Sequence, residues 1–186
     1  LKNLFPISSE MNSSETYAEF WATIFNSLFA AYYLRSDKSD IDEFLLYAEY
    51  CIHFEQMFTM FQCAKILQFM GIHYKTLYEK DDLNIKARKI LYKERSNVFT
   101  YYILKMIILV NADKFILWCE KNNNNIIKFN KTETNLDRFY TFIKKHYNSK
   151  NLLKDLNEMH KILKDTKNIS EPIITTTTRM TVIEVQ

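Results

Sequence analysis

The chain reads as a mainly α protein: a single helical domain of about six to seven helices with a short strand or an extended C-terminal tail. Three features point there. Gly occurs once and Pro twice in 186 residues, against ordinary usage of about 7% and 5%, which leaves little material for tight turns. Capping side chains stand before long runs whose apolar residues recur at three- and four-residue spacing. The single glycine, Gly71, follows the longest of those runs, where a left-handed helix terminus calls for one.

The first helix is expected from Asn12 to Leu34, NSSETYAEFWATIFNSLFAAYYL. Asn12 and Glu15 have the spacing of a capping box, the Asn accepting from an orphan amide and the Glu reaching back. At about 100° per residue, Phe20, Trp21, Ile24, Phe25, Leu28, Phe29 and Tyr32 share one apolar stripe. Glu15, Glu19, Ala22 and Asn26 share the opposite edge. A polar turn, RSDKSD, follows, and Asp40 with Glu43 repeats the capping spacing. The second helix then runs from Ile41 to Met70, with apolar residues in nearly every direction, as for a helix buried on most sides. Glu49, His53, Glu55, Gln56, Gln62 and Lys65 interrupt it, which argues against a membrane span.

Beyond Gly71, His73 lies in a short linker, and helix resumes from about Ile85 to Asn111, with Glu94, Asn97 and Tyr101 roughly on one face. Asn111 is expected to cap a short helix through Cys119. NNNN at 122–125 is a loop and IIKF a brief strand. Helices follow at about Thr134–Tyr147 and Lys150–Asp165. The tail, 166–186, turns β-branched, as an extended strand or a strapping segment. The whole of 1–186 reads as one domain. Starting at Leu1 with no charged leader, it shows no signal peptide and looks like the C-terminal part of something longer.

Composition excludes several chemistries. With one glycine, neither a P-loop nor a dinucleotide-binding turn can be built. Cys51, Cys63 and Cys119 have no CxxC spacing, and the first two lie roughly 18 Å apart along one helix, too far to bridge. A reducing, cytoplasmic setting follows. Net charge is +3, and the late lysines (Lys144, Lys145, Lys150, Lys154, Lys161, Lys164, Lys167) alternate with acids; such a pattern describes a solvated face rather than a nucleic-acid surface. His53, His73, His146 and His160 are scattered and no HExxH occurs. No ferritin-like pair of Glu-x-x-His motifs and no serine elbow is present either. The first-turn acids Glu15 and Glu19 have two explanations, a helix dipole facing water or metal ligation.

The segments FPISSEMNSSETYAEFWATIFNSLF, FEQMFTMFQCAKILQFMGIHYKTLY, YKERSNVFTYYILKMIILVN, FILWCEKNNNNIIKF and TTTTRMTVIEVQ resemble uncharacterised giant-DNA-virus proteins similar to zincin, gluzincin-like, metallopeptidases. The resemblance runs along nearly the whole chain. It implies an upstream HExxH helix, absent from these residues, as partner. It also implies zinc as cofactor, Glu15 as third zinc ligand in the ETYAE context, Glu19 beside a ligating histidine, and a peptide substrate. Arg179 is then a candidate for a substrate carboxylate or anionic intermediate, and Tyr101 with Asn97 for lining the groove and donating to an oxyanion. Without its HExxH segment the chain is expected to be inactive, in host cytoplasm or virion. The alternative function is a non-catalytic helical interaction or virion structural protein.

Overall fold

A computed structural model describes residues 1–166, 171 and 177–183. They form seven α-helices and no strand: α1 (Ser13–Leu34), α2 (Ile41–Phe69), α3 (Asp82–Leu91), α4 (Lys105–Leu109), α5 (Ala112–Asn122), α6 (Glu133–His146) and α7 (Lys150–Asp165). A 3-10 turn at Tyr74–Leu77 precedes α3, and a π-helical segment, Phe99–Leu104, runs directly into α4. The mainly α expectation holds, and no helix among the described residues is long and apolar enough to cross a membrane.

The packing follows from where large apolar side chains fall. α1 and α2 form an antiparallel hairpin, α7 lies along α2, and α4 touches α1, α2, α5 and α6. That central place explains why every residue of α4 is buried, its lysine included. Phe115 of α5 is the hub of the aromatic core. Its ring stacks on Trp118 with a centroid separation of 5.4 Å and meets Tyr17, Phe20, Phe139 and Phe142 at edges and tilts. A second cluster joins Phe5 to Phe99, Tyr78 and Tyr147.

The two caps expected before the first helices form: Asn12 accepts from the amides of Ser14 and Glu15, and Asp40 from Glu43. Asp81, Thr132 and Ser149 cap later helices in the same way, accepting from Asn84, Asn135 and Leu152. Gly71 has φ +70°, the left-handed terminus expected of it. Only half of each predicted capping box forms, because the glutamates go elsewhere. Glu15 turns to Tyr101 and Asn97, and Glu43 accepts from the amides of Ser36 and Asp37.

Five expectations need correction. The helix expected over 85–111 is broken. Tyr92 is extended with ψ 104°, and the Glu94 carboxylate accepts the Phe99 N–H at 2.9 Å and so caps the next helical run. IIKF is a turn closed by one isolated bridge between Asn125 and Lys128 rather than a strand. Asn111 precedes α5 without capping it, since its amide donates back to the Ile107 carbonyl. The α1 stripe is buried only as far as Ile24; Phe25, Phe29 and Tyr32 are exposed. α2 is buried at Thr59, Met60 and from Gln62 to Leu67, with Phe61 half-buried, whereas most of its residues from Ile41 to Met57 are exposed or half-buried.

The last two corrections share one cause. Beyond Ile24 the buried positions of the hairpin are small: Ser27, Ala30 and Ala31 on α1, Ala48 and Cys51 on α2. Small side chains let two helices approach closely, so this half holds together on a narrow seam. Its large residues project past the end of the bundle. Of the tail expected over 166–186, Thr166 ends α7 and 177–183 lies without strand structure against α1, α2 and α4, as a strap; the remainder lies outside the described residues.

Candidate functional site

Glu15 sits in the first turn of α1, and that turn is braced by the π-helical segment. The Asn12 N–H donates to Thr100 Oγ1 at 3.1 Å and Thr16 Oγ1 to the Thr100 carbonyl at 3.4 Å. A π-turn carries one extra residue per turn and recurs at functional sites. Here it faces the polar edge of α1. Tyr101 Oη donates to Glu15 Oε2 at 2.8 Å and Asn97 Nδ2 to the same oxygen at 3.2 Å. The Tyr101 phenol is shifted up, first because a carboxylate holds its proton, then by partial burial and the charges of Glu15 and Glu19.

One turn further on, Lys105 is 1% exposed. Burial pulls its ammonium below the usual lysine range, while Glu55 and Glu19 oppose that shift. Glu15, Glu19 and Asn26 of α1 thus face Asn97, Tyr101 and Lys105, with Glu55 and Gln62 of α2 closing the far side. Of the residues singled out from sequence, Glu15, Asn97 and Tyr101 come together. Glu94 does not join them: it is taken by Ser9, Tyr92 and the Phe99 amide. Arg179 lies on the strap, its N–H donating to Gln62 Oε1 at 3.4 Å.

These residues do not by themselves fit zinc, which takes at least three protein donors. No group of three His, Cys, Asp or Glu able to hold a metal exists among the described residues. The Glu15 oxygen that is engaged is held by a phenol and an amide, and the imidazoles stand elsewhere. His53 pairs with Glu49 and Gln56, His146 packs on Phe142, and His73 meets His160 edge-on at 5.9 Å. The cysteines are free and buried, and burial raises each thiol. They are poor nucleophiles.

Two features went unrecognised in the sequence. Glu55, Gln62 and Lys105 are buried and converge on the strap; their signal was polar residues inside otherwise apolar helical runs, Glu55 and Gln62 seven apart and so on one face. The second is the hairpin. In phase with buried Tyr17, Trp21 and Ile24, the α1 stripe continues through half-buried Leu28 to exposed Phe25, Phe29 and Tyr32. On α2, Leu46, Tyr50, Phe54 and Met57 form an outward stripe at helical spacing, the Tyr50 and Phe54 rings stacked within 8° of parallel. Phe29 is 61% exposed, and Leu46 and Tyr50 are each 65%. Exposed acids flank the α2 stripe at Asp42 and Glu49, whereas Glu43 is held by the Ser36 and Asp37 amides, and just past α1 Arg35 and Lys38 lie over the Tyr32 ring.

Lys150, Lys154, Lys161 and Lys164 line a groove of about 650 Å³ with His73, His160, Asn157 and Glu158, and Lys161 pairs with Glu158 at 2.8 Å. It is a mixed-charge face, as the alternation in the sequence implies. Comparison with known protein families, curated proteins and solved structures finds no match.

Proposed function

We propose that this chain is a non-catalytic helical interaction module that docks a partner's helix on the overhanging α1–α2 hairpin. The observation that carries the reading is the α2 stripe of Leu46, Tyr50, Phe54 and Met57, left uncovered over about three turns. The α1 stripe lies opposite the seam residues Ser27, Ala30 and Ala31 and so faces the other side of the hairpin. Scattered exposed apolar residues are ordinary, whereas contiguous ones mark interaction surfaces. Covering a large apolar side chain contributes up to about 1.5–3 kcal/mol, and the four residues of the stripe together supply the driving force that must offset the ordering cost of a short helix. The exposed Asp42 and Glu49 beside the α2 stripe select the occupant: an amphipathic helix whose apolar face is flanked by Lys or Arg.

The test is calorimetric titration of the chain with a synthetic Lys–Leu amphipathic helix of about five turns. A one-to-one complex is expected, weakened about tenfold by Leu46→Lys or Tyr50→Lys. Affinity indifferent to both substitutions overturns the reading. A concentration-dependent dimer in sedimentation equilibrium that Leu46→Lys disperses replaces the basic partner with a second copy of this chain.

A second reading is favoured by Glu15. Two neutral donors orient its carboxylate and no cation pairs with it among the described residues. In this reading the chain is the helical subdomain of a zinc metallopeptidase, in cytoplasm or virion. Glu15 is its third ligand and Glu19 the neighbour of a ligating histidine, with Tyr101 and Arg179 toward a peptide substrate. The imidazoles come from an HExxH segment outside these residues. Elemental analysis of the longer protein decides: Glu15→Ala removes the zinc, and unchanged zinc content ends the proposal.

A further inference from the structure

The strap rests in a channel whose walls read main chain. Glu55 Oε1 accepts the amides of Val182 at 3.1 Å and Ile183 at 3.0 Å. Gln62 Oε1 accepts the amide of Arg179 at 3.4 Å. Lys105 Nζ donates to the Met180 carbonyl at 2.6 Å, and Asn26 Nδ2 to the Ile183 carbonyl at 2.8 Å. Thr181 adds a side-chain contact, its hydroxyl donating to Glu55 and accepting from Asn26. Met180, Thr181, Val182 and Ile183 are themselves half-buried. Recognition by backbone hydrogen bonds, with little demand on side-chain identity, is how extended peptides are taken up by grooves.

The channel also holds more polar capacity than its occupant uses. Glu55 and Gln62 are each 1% exposed, yet Glu55 Oε2 and Gln62 Nε2 have no hydrogen-bond partner. A buried polar atom left unpaired costs free energy, and a strap evolved only to seal this seam gains nothing by keeping two. An occupant bringing one further donor to Glu55 and one acceptor to Gln62 fits the channel better than 179–183 does.

We infer that the channel lined by Asn26, Glu55, Gln62 and Lys105 is a binding site for an extended polypeptide segment, read through its main chain, and that residues 179–183 occupy it in cis as a stand-in. A tethered stand-in competes at an effective concentration of about millimolar, so an incoming segment binds when it makes the extra bonds or when the strap is loosened. The site is separate from the hairpin surface and does not depend on it.

The experiment uses the full chain with Val182→Pro and Ile183→Pro, which remove the two amides that Glu55 accepts. Binding of a fluorescent peptide with the sequence of residues 177–183 is followed by anisotropy. The peptide should bind this variant at least about tenfold more tightly than the wild-type chain, because the cis competitor is weakened. A peptide scrambled at every position except those of Arg179 and Thr181 should bind within about threefold of it, and a peptide N-methylated at the two matching amides about tenfold or more weakly. No binding to a variant that keeps its helical circular dichroism, or binding that depends on residue order, overturns the inference. Should the variant lose its helical signal, amide exchange in the wild-type chain decides. Millimolar scrambled peptide should speed exchange at Val182 and Ile183, the N-methylated peptide should not, and no change with either overturns the inference.

Discussion

Tyr101 and Glu15 are joined by a bond that was half legible beforehand. Helical spacing put Asn97 and Tyr101 on one face and Glu15 on the polar edge of its own helix; the π-turn that brings the two faces together leaves no mark in composition or periodicity. The bond has a spectroscopic consequence. A carboxylate accepting the phenol proton keeps it on the oxygen, so the Tyr101 phenol ionises above the ordinary value of 10.0. Glu15→Gln removes that charge and should move the Tyr101 ring resonance's alkaline midpoint back toward the ordinary value, leaving Tyr74 and Tyr92, which burial raises, where they are. A midpoint unmoved by Glu15→Gln would mean the pair does not form in solution. In the core, Phe115→Ala should cost about 3–5 kcal/mol in urea unfolding, since its ring is fully buried against Tyr17, Phe20, Trp118, Phe139 and Phe142. A loss under about 1 kcal/mol would contradict its place at the hub.

At the scale of the element, caps and boundaries could be read because they are local: α6 and α7 start and stop within a residue or so of the expected positions, and α2 ends at its glycine. Gly71 has open space where a Cβ would stand, so the cost of substitution there is conformational alone. Gly71→Ala should lower stability by about 1–2 kcal/mol and Gly71→Asn by less, measured by chemical denaturation. What sequence could not give was the length over which a stripe finds something to pack on. The aromatic residues of α1 have one periodicity from Phe20 to Tyr32, and only the tertiary arrangement of α5 and α6 decides that burial stops at Ile24.

The contact of α7 with the residues after α2 carries a pH dependence. Burial lowers the His160 imidazole below its ordinary 6.5, with the charges of His73 and Lys164 adding to the effect. Burial also lowers His146, followed by Lys114 and Lys145. Each imidazole takes up its proton more readily in the unfolded chain than in the folded one. Stability is therefore complete above 6.5 and is lost as pH falls from there toward the folded-state values. Thermal unfolding should shift to lower temperature between pH 7.5 and pH 5.5, on the order of a few degrees, and His160→Gln should shrink the shift. A shift that His160→Gln leaves unchanged would rule out the histidine as its source.

Over the whole molecule, a packed bundle carries a hairpin that reaches past it, and a strap closes the polar channel between α1, α2 and α4. The bundle accounts for the apolar residues up to Ile24 on α1 and for Met60, Cys63, Ala64, Ile66 and Leu67 on α2. The hairpin leaves the rest for a partner. The measurement that tests this most directly is an aromatic and methyl resonance footprint of the full chain during titration with the Lys–Leu helix. The account predicts shifts confined to Leu46, Tyr50, Phe54 and Met57. Shifts centred instead on the α7 face around Leu153 and Ile162, or on Tyr101, would contradict it.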